Sequence, residues 1–124
     1  MSNWSAHELE TIGNAGEIHL STARDDGSLR PSVPVWVVRV DDDLYVRSYR
    51  GQAGSWYRHA RRLPYGHIRT TGIDRNIEFT VPDDIAADAI DQAYRHKYGS
   101  HAGSYVITMI RDDVAATTLR LTPR

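Results

Sequence analysis

The chain has 124 residues, no cysteine, and 15 lysines and arginines against 16 aspartates and glutamates, a formal net charge of -1. One domain spanning residues 1–124 is expected, long enough to bury a core without covalent staples, and the missing cysteines exclude a disulfide framework, a thiolate zinc site and a cysteine nucleophile. No apolar run approaches the ~20 residues that span a bilayer, and the start MSNWSAHELE lacks the basic and apolar regions of a signal peptide, so a cytoplasmic protein without a membrane partner is expected.

Ser5 to Asn14 reads as a short helix, with Ser5 and Glu8 spaced as a capping box and Gly13 and Gly16 at its end. Glu17 to Ala23 alternates as a strand, and Asp25-Asp26-Gly27-Ser28 is turn chemistry. Ser32 to Val40 (SVPVWVVRV) predicts one strand, apolar on both faces: Val33, Val35 and Val37 against Trp36, Val38 and Val40. Such a strand belongs in a barrel wall or under a helix. Pro34 lacks a ladder donor, which places it at a strand end, a bulge or an edge. Asp41-Asp42-Asp43 turns the chain into a second strand, Leu44 to Tyr49.

Ala53 to Arg62 is predicted helical, with Ala53, Trp56, Tyr57 and Ala60 as an apolar stripe and Arg58, Arg61 and Arg62 off it. Tyr65 to Thr71 and Arg75 to Val81 form a hairpin around Gly72-Ile73-Asp74. The longest helix runs from Pro82 to Tyr98, with Ile85, Ala89, Ile90, Ala93 and Tyr94 facing the core and Gly99 just beyond its end. Residues 99–113 carry no clear period, and Ala116 to Leu121 reads as a last strand. The order predicts an α+β fold in which about six antiparallel strands close into a small barrel with flanking helices.

Charge is sorted along the chain. Residues 1–43 balance to -5, residues 44–75 to +6 and residues 76–113 to -4. The positive block centres on residues 47–62, RSYRGQAGSWYRHARR, with five arginines and no acid. It lies where a strand passes through a glycine-containing turn into a helix. The first N–H groups of a helix have no intrahelical partner and sit at the positive end of its dipole. Gly51 and Gly54 permit close backbone approach, Ser55 offers a hydroxyl at the expected N-cap, Arg47 and Arg50 end the strand, and Arg58 follows one turn into the helix. Together they form a candidate phosphate cradle. The spacing matches neither GxxxxGK[ST] nor GxGxxG. Trp56 and Tyr57 also read as core residues, and Arg61 and Arg62 as cations closing the helix C-terminus.

The run VPVWVVRVDDDLYVRSYRG, followed by SWYRHARRLP, resembles the split β-barrel superfamily, which includes FMN-binding pyridoxamine-phosphate-oxidase-like proteins and deazaflavin-dependent nitroreductases. The likeness covers about residues 15–81. Over nearly its whole length, the helix AIDQAYRHKYG and the tail ATTLRLTPR included, the chain is similar to the bacterial domain of unknown function 2255. The resemblance implies that Pro34 and Trp36 lie near a flavin-type ring. It implies that Arg47, Ser48, Arg50, Ser55, Trp56 and Arg58 face the phosphate or acidic tail. The FMN-binding pattern often has lysine at the basic helix position. This chain has a single lysine, Lys97, elsewhere, which favours a deazaflavin coenzyme, or no cofactor at all, over FMN. The implied activity is hydride transfer to or from a small organic substrate, in a homodimer. The alternative is a non-enzymatic barrel that binds a small anion or a protein.

Other chemistries find less support. The six histidines form no HExxH motif; His59 and His67 are conceivable haem ligands. There is no GxSxG elbow. Nucleic acid suits neither the near-neutral pI nor the acidic flanks of the block. No residue identifies itself as a general acid; Tyr49, Tyr57, Tyr65 and Tyr98 qualify only by type.

Overall fold

The computed structural model describes residues 3–85, 87–99 and 103–124. The capping box forms as expected: the Ser5 hydroxyl accepts from the Glu8 N–H and the Glu8 carboxylate from the Ser5 N–H, each at 3.0 Å. It starts α1 (Ala6–Asn14), which buries Leu9 and Ile12. Then follow β1 (Ile18–Thr22), β2 (Val33–Val35), β3 (Val38–Val40), β4 (Asp43–Val46), a 3-10 turn at Gly51–Ala53, α2 (Ser55–Arg62), β5 (Tyr65–Thr70) and β6 (Ile73–Thr80). The chain continues through α3 (Ala87–Tyr98), α4 (Gly103–Met109), α5 (Asp112–Ala115) and β7 (Leu119–Pro123). The fold is α+β, with seven strands where about six were expected.

The extra strand comes from Ser32–Val40, which is two strands. The sheet order is β2-β1-β5-β6-β7-β4-β3, with antiparallel pairing throughout. β2 and β3 are therefore the two edges, yet only Trp36 and Val37 separate them. Three Cα steps span at most ~11 Å, so the sheet must curl until its edges meet. Pro34 sits on edge strand β2 opposite His19, as its missing donor requires.

The apolar residues on both faces of this segment are explained by two cores. Val35 and Val37 point into the barrel with Leu20, Leu44, Ile68, Ile77 and Leu121, closed by Ile12 of α1 and Tyr57 of α2. Val38 and Tyr45 point outward, under Ile90, Tyr94 and Tyr98 of α3 and Met109 of α4. β4 shows the period-2 rule directly: Leu44 and Val46 face in, Tyr45 faces out. Each such side chain stabilises the fold by about 1.5–3 kcal/mol when fully buried.

Several boundaries shift for local reasons. β4 ends at Val46, not Tyr49, because Arg47 and Ser48 leave the ladder to bond elsewhere. The β5–β6 hairpin turns on Thr71-Gly72 alone, since Thr70 pairs with Ile73 and Gly72 takes the left-handed φ of 74°. α3 starts at Ala87 rather than Pro82; Ala86, within the expected helix, lies outside the described residues. Residues 103–115 supply two short helices that no sequence period announced.

Candidate functional site

Three depressions run along the strand–turn–helix segment and share lining residues. The first, about 380 Å³, is bounded by Pro34, Val35, Trp36, Trp56, Tyr105 and Met109, with Arg47 and Tyr49 beside them. The second, about 280 Å³, shares Pro34, Tyr49 and Trp56 with it and adds Ser48, Arg50, Gly54 and Ser55. The third, about 310 Å³, shares Ser55 and is completed by Arg58, His59 and Arg62. The result is a cleft whose lining changes from aromatic to cationic.

The aromatic end is well supported. The Trp36 ring lies on that of Tyr98 with centroids 3.9 Å apart and planes 2° from parallel, and Tyr105 meets its edge at 6.5 Å. Tyr98 is fixed by its hydroxyl, which donates to Gly16 O at 2.8 Å and accepts from the Val37 N–H at 3.4 Å. Burial pushes that hydroxyl's pKa up to about 12, so it stays protonated near neutral pH. Tyr49 and Tyr105, 5.9 Å apart, are about half exposed at the rim. Trp56 bridges inward, 6.3 Å from Phe79 of the barrel core.

The turn is tightly set. Gly51 takes φ 67°. Gly54, not Ser55, is the N-cap of α2, and no side chain caps the helix. A Cβ at Gly54 would press into Ser48 Oγ, so a larger residue there would force that hydroxyl to move. The Ser48 N–H donates to Thr117 Oγ1 at 2.9 Å, fastening the turn to the corner before β7.

The arginines divide into two kinds. Arg47 does not present a phosphate-binding guanidinium. Its side chain is fully buried; Nε donates to Thr118 Oγ1 at 2.8 Å, and one terminal nitrogen reaches Asp91 Oδ1 at 2.6 Å and Met109 O at 2.9 Å. The guanidinium also lies 5.4 Å from the Tyr94 ring centroid. Arg47 is thus a tie between β4, α3, α4 and the start of β7, and only borders the cleft. Arg61 donates to the Tyr57 hydroxyl at 2.9 Å, and Arg62 pairs with Asp25 at 2.8 Å. Arg50 and Arg58 are exposed and have no side-chain partner among the described residues. They are the free cations of the cleft.

His59 is half-buried beside them. Burial, then the charges of Arg30, Arg62 and Arg58, lower its pKa, so it is a neutral hydrogen-bonding group near neutral pH. His67 is engaged by Asp74 at 2.5 Å on the β5–β6 hairpin, away from the cleft. Among the described residues, no group of three or more histidines and acids could hold a metal ion; His101 lies outside them. Of the eight sequence-predicted site residues, Pro34, Trp36, Arg50, Ser55, Trp56 and Arg58 line the cleft with accessible surface, while Ser48 and Arg47 border it but are buried. Tyr105 and Met109 were missed, because they come from the stretch without a period.

The structural neighbours are other barrels of this kind. The chain is similar to the haem storage protein HutZ of Vibrio cholerae, with 12% identity, TM-score 0.60 and coverage of 100% of this chain and 92% of that one. A FAD-binding protein of Mesorhizobium loti has 16% identity and TM-score 0.55, over 95% and 87% of the two chains. A NimC/NimA family protein of Clostridium acetobutylicum has 16% identity and TM-score 0.57, over 93% and 77%. These likenesses show the split-barrel fold. No helix among the described residues is long and apolar enough to cross a membrane. No curated protein matches the chain. The family model for uncharacterised proteins conserved in bacteria, DUF2255, matches residues 8–121, and the chain belongs to that family.

Proposed function

We propose that the cleft binds a phosphorylated flavin or deazaflavin coenzyme and that the protein is an oxidoreductase acting on a small organic substrate. The observation that carries this reading is the change along one cleft from Trp36, Trp56 and Tyr105 to the unpartnered Arg50 and Arg58. A flat apolar ring with an anionic tail matches that order: aromatic surface buries the ring, and free guanidiniums bond phosphate or carboxylate oxygens. The FAD-binding and haem-storing neighbours support a cofactor-sized ligand in this fold.

Such a coenzyme supplies hydride transfer. The residues of the chain do the rest. Trp36, held by Tyr98, offers a rigid face that orients the ring. Pro34, Val35 and Met109 exclude water at the apolar end. Arg50 and Arg58 hold the tail, with Ser55 and the first N–H groups of α2 as further donors. A depression flanked by Arg58 and Arg62 favours the longer anionic tail of a deazaflavin over the single phosphate of FMN. A homodimer belongs to the same reading, with the exposed Tyr49 and Tyr105 on the rim that a second chain covers.

Titration with FMN and with the deazaflavin coenzyme tests this, read by visible absorption and tryptophan quenching. Micromolar affinity, about -8 kcal/mol, supports the proposal, and the tighter ligand identifies the branch. If neither binds while inorganic phosphate does, the chain is the non-enzymatic anion-binding barrel instead.

A further inference from the structure

A separate cavity of about 350 Å³ lies between α1, β3 and α3, bounded by Leu9, Glu10, Asn14, Arg39, His96 and Lys97. It shares no lining residue with the cleft. Lys97 is the only lysine in the chain. Its amine donates to Val37 O at 2.6 Å and sits 5.0 Å from the Tyr98 ring centroid. Among the described residues, no carboxylate lies within ion-pair distance of it. A lysine serving only as a surface charge would extend into water or meet an acid. This one is held against a carbonyl at a cavity wall.

We infer that Lys97 is a covalent site for a small carbonyl compound bearing a carboxylate, which it takes up as an imine. The ε-nitrogen lone pair attacks the carbonyl carbon while the carbonyl oxygen takes a proton. The resulting carbinolamine loses water to give C=N. No oxidation state changes and no co-reactant is needed. Arg39, which also pairs with Asp42 at 3.7 Å, and the His96 imidazole line the same cavity and offer donors to an anionic substituent on that carbonyl compound; Glu10 is the one carboxylate among the lining residues.

Protonation supports the geometry. Burial lowers the Lys97 pKa to about 8. At that value about a tenth of the amines are uncharged at pH 7, against about one in 2,500 for an unperturbed lysine. The polar groups facing it are Glu10 from α1, Arg39 from β3, which pairs with Asp42 at 3.7 Å, and the imidazole of His96 from its own helix. Its hydrogen bond with Val37 O keeps the nitrogen near the cavity, and that bond must open for the lone pair to react.

The test is reductive trapping of the intact chain with glyoxylate and cyanoborohydride near neutral pH, read by intact mass and peptide mapping. The only other primary amine is the α-amino group, which serves as the internal reference. Lys97 is expected to gain one carboxymethyl group, at a rate that saturates with glyoxylate. That rate should be ~200-fold above the same lysine in the urea-unfolded chain, following the larger uncharged fraction. Acetaldehyde should label it more slowly than glyoxylate. Labelling confined to the α-amino group, or a Lys97 rate equal in folded and unfolded chain, overturns the site. Equal rates for glyoxylate and acetaldehyde overturn the carboxylate requirement.

Discussion

The indole of Trp36 rests flat on the phenol of Tyr98, 3.9 Å between centroids, and a single α3 side chain thereby fixes the face that lines the cleft. Trp36→Ala removes that stack and leaves Tyr98 partly uncovered. The expected cost is about 2 kcal/mol, below the full range for a buried aromatic because Trp36 is only half-buried. Trp36→Phe should cost about 1 kcal/mol and keep most of the binding. Urea midpoints measure the stability, and flavin titration measures the rest; a Trp36→Ala protein that binds as well as wild type would remove the ring from this end of the cleft.

Among the described residues, Arg50 and Arg58 form no hydrogen bond or ion pair with another side chain, so their replacement separates binding from folding. Arg50→Ala with Arg58→Ala should shift stability by no more than about 0.5 kcal/mol. The same change should weaken binding of an anionic coenzyme by ~10- to 100-fold, the loss of two charge-assisted contacts. Isothermal calorimetry gives the second number and thermal melting the first.

Arg47 is expected to behave in the opposite way. Arg47→Ala strips four elements of a shared donor and leaves Asp91 and Thr118 without it. Breaking a buried pair on one side typically costs about 3–5 kcal/mol, so the variant should unfold at far lower denaturant or fail to accumulate. Asp91→Asn, which keeps an acceptor oxygen, should cost less. An Arg47→Ala chain as stable as wild type, but unable to bind, would restore Arg47 to the cradle.

Lys97 predicts a pH dependence with a definite sign. Its pKa is about 8 in the folded chain and about 10.4 when unfolded, so between these values the unfolded state holds more protons and stability rises with pH. Below that window the full penalty for charging a buried amine applies. Denaturation midpoints at about pH 7.5 and about pH 9.5 should show the wild type gaining stability relative to Lys97→Met. Tyr98, pushed up to about 12, acts in the other direction, but only above about pH 10, where the unfolded phenol ionises first. A difference curve that stays flat would place Lys97 in water.

Much of this was legible from local signals. The Ser5–Glu8 box, the placing of Pro34 at a strand end, bulge or edge, the α+β order and the strand–turn–helix arrangement of residues 43–62 all rest on neighbours a few residues apart. What escaped depends on distant partners. Arg47 reads as one more cation in the positive block, because its acceptors lie 44, 62 and 71 residues away at Asp91, Met109 and Thr118. Sequence cannot distinguish it from Arg58, which ends up free. Gly54, not Ser55, is the cap of α2, and the crowding of position 54 by Ser48 from the preceding turn is a contact that sequence spacing does not announce. Tyr105 completes the aromatic end from a helix of seven residues, too short for its period to register.

The two-residue join at Trp36 and Val37 also limits how this chain can change over time. Most links between strands run over the surface and absorb extra residues at small entropic cost. Here the link is set by both edges at once: Val35 is paired with Ile18, and Val38 with Tyr45. One inserted residue would force a bulge or move a strand by one position, turning its inward side chains outward. The barrel could then satisfy one edge or the other, but not both. Length variation within such chains should therefore collect in the 24–31 turn and spare the join.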